Sequence, residues 1–231
     1  MTTTDVTRAL VAAVAERAAA KAPLLVGITG GVAVGKSTLA QSLADGLTQA
    51  GHAVQVVATD GFLRPNRELE AAGLNIRKGF PETFDRDALH SFLAELAAGR
   101  TAVTPVYSHV TYDIVPGETR MVAGRGVVIV EGVNVLQTPE ARACLGLALY
   151  VDADPVHAKA WYLRRLHQII ADDPESFFAK LDPERRDAMF EAGWVHLNLV
   201  NLNEHIAPTA EFADVVVRKH ADHTFAELGW R

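Results

Sequence analysis

Residues 30–37 are of the types, and at the spacing, that hold a polyphosphate. They read Gly30-Gly31-Val32-Ala33-Val34-Gly35-Lys36-Ser37 and fit the pattern G-x-x-x-x-G-K-[ST]. Gly30 and Gly35 permit a tight turn whose backbone N–H groups point inward at phosphate oxygens. A helix starting near Lys36 adds its positive dipole end. The Lys36 ammonium suits the β- and γ-phosphates of ATP, the Ser37 hydroxyl suits Mg²⁺, and Thr38 continues the run. Such a loop alone does not separate a kinase from a GTPase or a motor. A chain of 231 residues leaves little room beyond one core, which favours a small-molecule kinase.

Other residues fit phosphoryl transfer, each with a plainer alternative. Asp60 follows an apolar run and could take a proton from an acceptor hydroxyl, or simply cap the Asp60-Gly61 turn. Glu131 ends a second such run and could hold Mg²⁺ directly or through water, or close a strand end. Arg164 and Arg165 could stabilise charge on a transferring phosphoryl group, although paired arginines usually mark a solvated face. Arg64, Arg67, Arg77 and Lys78 form a second basic cluster that could meet an anionic substrate or be a solvated loop. His109 lies among Tyr107, Tyr112 and Asp113, a group able to line a polar pocket. Nine histidines show no metal-ligand spacing, and the single Cys144 reads as a core filler.

These groups need elements to hold them. Residues 24–28 read as a buried strand, with Gly27 marking a close approach. Residues 36–50 read as a helix with Leu39, Leu43 and Leu47 on one face, stopped by Gly51. Residues 53–58 read as the next strand. This strand–helix–strand series implies right-handed crossovers and a parallel sheet. A helix over 87–98, strands over 127–130 and 147–151, and a helix over 155–170 opened by Pro155 continue the pattern. Residues 104–115 read as irregular, 172–200 as one or two helices, and 215–217 as the last strand. Leu10, Val11 and Val14 suggest a surface helix near the start. The expected organisation is an N-terminal helix over 1–22 and a kinase domain over 23–231.

The net charge of −6 argues against a nucleic-acid or anionic-membrane partner. One cysteine excludes an internal disulfide framework and fits a cytoplasmic location. No apolar run approaches bilayer length, and the start lacks the pattern of a signal peptide.

Taken in order, the glycine loop, Thr59-Asp60-Gly61-Phe62-Leu63, Pro65-Asn66, Lys78-Gly79-Phe80-Pro81-Glu82, Pro105-Val106-Tyr107-Ser108-His109, Tyr112-Asp113 and Glu131-Gly132-Val133-Asn134-Val135-Leu136-Gln137 resemble the bacterial type I pantothenate kinases. These belong to the phosphoribulokinase and uridine kinase superfamily. Tyr150-Val151-Asp152-Ala153, Trp161-Tyr162, Ile206 and Pro208-Thr209 extend the resemblance over roughly residues 23–223.

The resemblance implies a P-loop NTPase-type, three-layer α/β fold with a mainly parallel sheet and helices on both faces. It implies ATP-dependent phosphorylation of pantothenate, the first step of coenzyme A synthesis. Asp60 then looks like the general base, with Lys36 and Arg165 as charge stabilisers. Ser37 looks like the Mg²⁺ ligand, with Glu131 near it. Tyr107, His109, Tyr112, Tyr162 and Asn198 look like acceptor contacts, and His223 falls where the family meets adenine. A homodimer is the family's usual state. The chain departs from the family at Gln41, where an arginine helps bind inhibitory coenzyme A, and at His205, where asparagine is usual. Arginines are missing after Pro208-Thr209, and both the segment before Pro23 and that between Arg165 and Asn198 are shorter. Uridine, another nucleoside or a sugar is the alternative acceptor, and a non-catalytic nucleotide-binding regulator is the alternative class.

Overall fold

The uninterrupted apolar run Leu24-Leu25-Val26-Gly27-Ile28 forms the middle of a sheet, where a strand is covered on both faces. The computed structural model describes residues 2–173 and 178–231. Strand β1 (Leu24–Gly30) is flanked by β5 (Val127–Glu131) and β6 (Leu147–Asp152), both parallel to it. Beyond them lie β2 (Val54–Ala58) and β7 (Val215–Lys219), also parallel, giving the order β2-β5-β1-β6-β7-β8. The expected last strand, 215–217, is not the last. β8 (Phe225–Trp230) returns antiparallel along β7, a pairing its short polar turn allows but its own composition does not announce.

Side chains alternate across this sheet and divide the interior into two cores. Val26, Ile28, Ile129 and Leu149 face α1 (Thr3–Ala20), α2 (Lys36–Gln49) and α6 (Pro155–Asp172), through Leu10, Leu39, Leu43 and Trp161. Leu25, Val128, Val130 and Tyr150 face α4 (Arg86–Ala97), through Leu89, Phe92, Leu93 and Leu96. Truncating a fully buried leucine such as Leu93 to alanine costs about 2–5 kcal/mol. Gly27 is a close approach, since a Cβ there would lie 2.5 Å from Leu145 Cδ1. The N-terminal helix buries Val6, Leu10 and Val14 against this framework.

Two shorter helices are α3 (Asn66–Ala71) and α5 (Pro139–Cys144), the second packed beside α4. Cys144 is half-buried at the edge of a core, and burial raises its thiol pKa. After α7 (Pro183–Gly193) the chain runs through a π-helical turn, Trp194–Asn198, one α turn, Leu199–Asn201, and a second π turn, Leu202–Ile206. Of the helical stretch expected over 172–200, residues 174–177 lie outside the described residues.

The stretch expected to be irregular, 104–115, is instead mostly an antiparallel ribbon of β3 (Ala102–Ser108) and β4 (Asp113–Val122). Its register shifts between Pro105 and Tyr107. Two prolines and a largely exposed surface removed the apolar alternation by which such a strand is read.

Candidate active site

The register of the parallel strands brings the site together. Ile28, Ala58 and Glu131 are paired neighbours, so the carboxyl ends of β1, β2 and β5 lie side by side. The glycine loop leaves β1, Asp60 leaves β2 and Glu131 ends β5, at the edge where open α/β sheets bind ligands. Gly30 (φ +145°) and Gly35 (φ +91°) take left-handed-side backbone angles that side chains rarely adopt, and Gly35 opens α2. No described side chain caps α2. Its first N–H groups therefore remain available to an anion.

Lys36 is 9% exposed and donates to the Gly31 carbonyl at 2.7 Å. Burial lowers its pKa, the negative charges of Glu131 and Asp60 oppose that shift, and Arg165 adds to it. Residues far apart in sequence thus act on one ammonium. Ser37 Oγ donates to Glu131 Oε1 at 2.8 Å, across 94 residues of sequence. Thr59, beside Asp60, donates to Asn134 Oδ1 at 2.6 Å in a buried bond that ties the end of β2 to the loop after β5.

A cleft of about 710 Å³ extends outward from the loop, lined by Gly35, Lys36, Ser37, Thr38, Arg164 and Arg165, among others. Its far end holds Trp161, Lys219, His223 and Phe225. The Trp161 and His223 rings stack with centroids 4.0 Å apart. Burial, then Lys219 and Arg164, lowers the His223 pKa, and burial lowers that of Lys219. That direction favours the uncharged form of the His223 ring. Both arginines that spacing alone assigned to a solvated face line this cleft.

On the other side of Asp60 lies a smaller cleft of about 170 Å³ with Gly61, Tyr107, His109 and Arg120 in its wall. Tyr107 and His109 pack edge to face at 5.2 Å. The Tyr107 phenol is held well above its ordinary range, by burial first and then by Asp60, Tyr112 and Asp113. The Tyr162 phenol is raised by burial, opposed by a hydrogen bond with Asn198, and raised further by Tyr112. Of the five expected acceptor residues, Tyr107 and His109 line this cleft with Asp60, whereas Tyr112, Tyr162 and Asn198 lie outside its lining; Tyr112 is near enough to both other phenols for its charge to act on them. A further cleft of about 640 Å³, beside Phe62, Arg64 and Arg86, contains neither the glycine loop nor Asp60, and its Arg64 pairs with Glu68 at 3.4 Å.

The structure splits the basic cluster of the second loop. Arg77 pairs with Glu82 at 2.6 Å and lies over the Phe80 ring. Lys78 turns the other way. Its ammonium donates to Asn66 Oδ1 at 2.6 Å and to the Tyr112 carbonyl, and lies 5.1 Å from the Tyr107 ring centroid. Burial lowers its pKa, opposed by Asp113 and then Asp60. The sequence left Lys78 open between a substrate-facing cation and a solvated loop residue; the structure turns it toward Tyr107 and Tyr112. Sequence reasoning gave no role to Lys219. Gln41 donates to Asp45 at 2.7 Å on α2.

A glycine phosphate loop opening an uncapped helix, with Glu131 at and Asp60 just past the paired strand ends beside it, is the arrangement of a P-loop kinase. The family model described as Phosphoribulokinase / Uridine kinase family matches residues 25–168, and the chain belongs to that family; it is an ATP-dependent phosphotransferase. It is 43% identical over 228 residues to the pantothenate kinase of Streptomyces avermitilis, covering 90% of this chain and 69% of that protein. It is 39% identical over 230 residues to the pantothenate kinase of Brucella ovis, covering 91% and 71%. The D-glycerate 3-kinase structure from Cryptococcus neoformans shares the fold, with a TM-score of 0.73 over 99% of both chains at 14% identity.

Proposed function

We propose that this kinase transfers the γ-phosphoryl group of ATP to the primary hydroxyl of pantothenate, opening coenzyme A synthesis in the cytoplasm. The observation that carries the reading is the position of Asp60. It lines one cleft with Tyr107 and His109, directly after the strand whose end is paired with that of Glu131, and lies near enough to Lys36 and Lys78 for its charge to act on both. The relatives named pantothenate kinase support the acceptor. We assign residues 23–231 to the kinase domain and residues 1–22 to a helix laid against it.

The proposed reaction follows from the arrangement. The acceptor oxygen attacks the γ-phosphorus, the bond to the β,γ-bridging oxygen breaks, and ADP leaves. Asp60 takes the acceptor proton. Lys36 and Arg165 offset charge on the transferring group, and residues 30–38 cradle the phosphates through backbone N–H groups. Ser37 Oγ and Glu131 Oε1 are adjacent oxygen donors of the kind a hard cation takes, so they fit Mg²⁺. When bound, Mg²⁺ neutralises phosphate charge. Tyr107, His109, Tyr112, Tyr162 and Asn198 orient the acceptor, Lys78 donates to its oxygens, and His223 meets the base.

ADP release from Mg·ATP, measured in parallel with pantothenate, uridine, D-glycerate and no acceptor, tests this. Release that depends on pantothenate is expected. Release that depends on another acceptor overturns the substrate, and ATP binding without turnover on any acceptor overturns the catalytic reading.

A further inference from the structure

Gly79, next to Lys78, is held through both of the peptide groups that flank it. Its N–H donates to Thr83 Oγ1 at 3.0 Å, and its carbonyl accepts from Asn201 Nδ2 at 2.9 Å. Gly79 has φ +97°, a conformation glycine holds only weakly by itself. Thr83 is fully buried and Asn201 is 5% exposed.

Asn201 is an unusual choice for such a place. Its Oδ1 has no hydrogen-bond partner among the described residues, so the fold carries an unsatisfied buried acceptor there. A leucine, with the same branched heavy-atom skeleton, would bury no polar atom there. The retained amide has one bond, and that bond reaches 122 residues back to the loop that carries Lys78. Asn201 also lies three residues beyond Asn198, in the single α turn between two π turns. Such insertions occur often at functional sites.

We propose that Asn201 is a positioning residue, which clamps the Gly79 carbonyl and so sets the Lys78 ammonium at the acceptor site. This rests on the reading that the acceptor binds beside Asp60. The clamp joins two acceptor walls: the helical run with Asn198 and the loop with Lys78. Asn201 touches neither ATP nor the acceptor and acts through Lys78.

The test is a double-mutant cycle of Asn201→Leu with Lys78→Met, read as kcat and KM for acceptor and for ATP. Asn201→Leu should raise the acceptor KM by roughly 2- to 12-fold, the loss of one neutral hydrogen bond. KM for ATP should hold. On the Lys78→Met background, Asn201→Leu should add nothing. A full effect on that background, an equal loss for ATP, or an unchanged acceptor KM overturns the proposal. Should Asn201→Leu fail to fold, Asn201→Ser takes its place in the cycle. If the wild type phosphorylates no acceptor, the function reading fails separately. The clamp is then read from the NMR titration of ¹³C-methylated lysines, with Lys78 assigned by its absence in Lys78→Met. Asn201→Leu should move that titration toward an exposed lysine's, and an unchanged titration overturns the clamp.

Discussion

Lys78→Met removes one charge at the acceptor site while keeping most of the side chain's apolar bulk. The lost ammonium donates to Asn66 Oδ1 at 2.6 Å and to the Tyr112 carbonyl, and faces Asp113 and Asp60. A hydrogen bond from a charged donor is worth about 1.5–3 kcal/mol, or about 10- to 150-fold in kcat/KM for the acceptor. Lys78 is only half-buried, so solvent screening places the expectation toward the lower end. Lys78 does not line the nucleotide cleft, so KM for ATP should change less than about twofold. Initial rates of ADP release, varied first in acceptor and then in ATP, measure both. The pH profile adds an independent reading. Burial lowers the Lys78 pKa below its ordinary 10.5, so wild-type acceptor efficiency should fall as pH rises through that lowered value, and the methionine variant should lack that fall. The stability sign runs the other way. The unfolded chain holds this proton more tightly, so burial of the charge costs stability below the folded pKa. That cost lifts as pH rises from the folded value to 10.5. A variant with wild-type acceptor efficiency, or equal losses for acceptor and ATP, refutes the reasoning.

Two further substitutions probe the Asp60 end of the site. Asp60→Asn should lower turnover by at least ~10²-fold, as expected for loss of a general base, while a fluorescent ATP analogue still binds; near-normal turnover would remove Asp60 from that role. Thr59→Val deletes the 2.6 Å bond to Asn134 and strands a buried acceptor, since Thr59 is 1% and Asn134 5% exposed. The cost of about 1–3 kcal/mol should lower the calorimetric midpoint by roughly 2–12 °C. It should also lower turnover, because Asp60 is the next residue; a midpoint shift below about 1 °C rules out the bond as a tie between the strand ends.

Much of this was readable along the chain because its causes are local. The glycine loop needs two permissive residues and a lysine at fixed spacing, and α2 needs Leu39, Leu43 and Leu47 on one face. The core strands are short apolar runs that no exposed element would carry. Resemblance to a family supplied the expected roles of Asp60, Glu131 and His109, which spacing left open. The ribbon of β3 and β4 stayed hidden because only Ala102, Thr104 and Val122, all at its end away from the connecting turn, are buried, which is too short a stretch to write a period into 104–115. β8 stayed hidden because its antiparallel pairing depends on β7 being there first.

Which charges meet was decided by the tertiary structure alone. Arg77 and Lys78 are neighbours of the same type, and only folding sends one to Glu82 and the other to Tyr107 and Asp60. The register of β1, β2 and β5 makes Glu131 a neighbour of Ser37, and a helical run near the end of the chain holds Gly79. The sequence determined the phosphate loop, the helices beside it and the five parallel strands of the sheet, since backbone freedom, helix periodicity and apolar runs act within a few residues. The electrostatics of the site came from the fold, because a charge takes its energy from burial and from partners that lie far away along the chain.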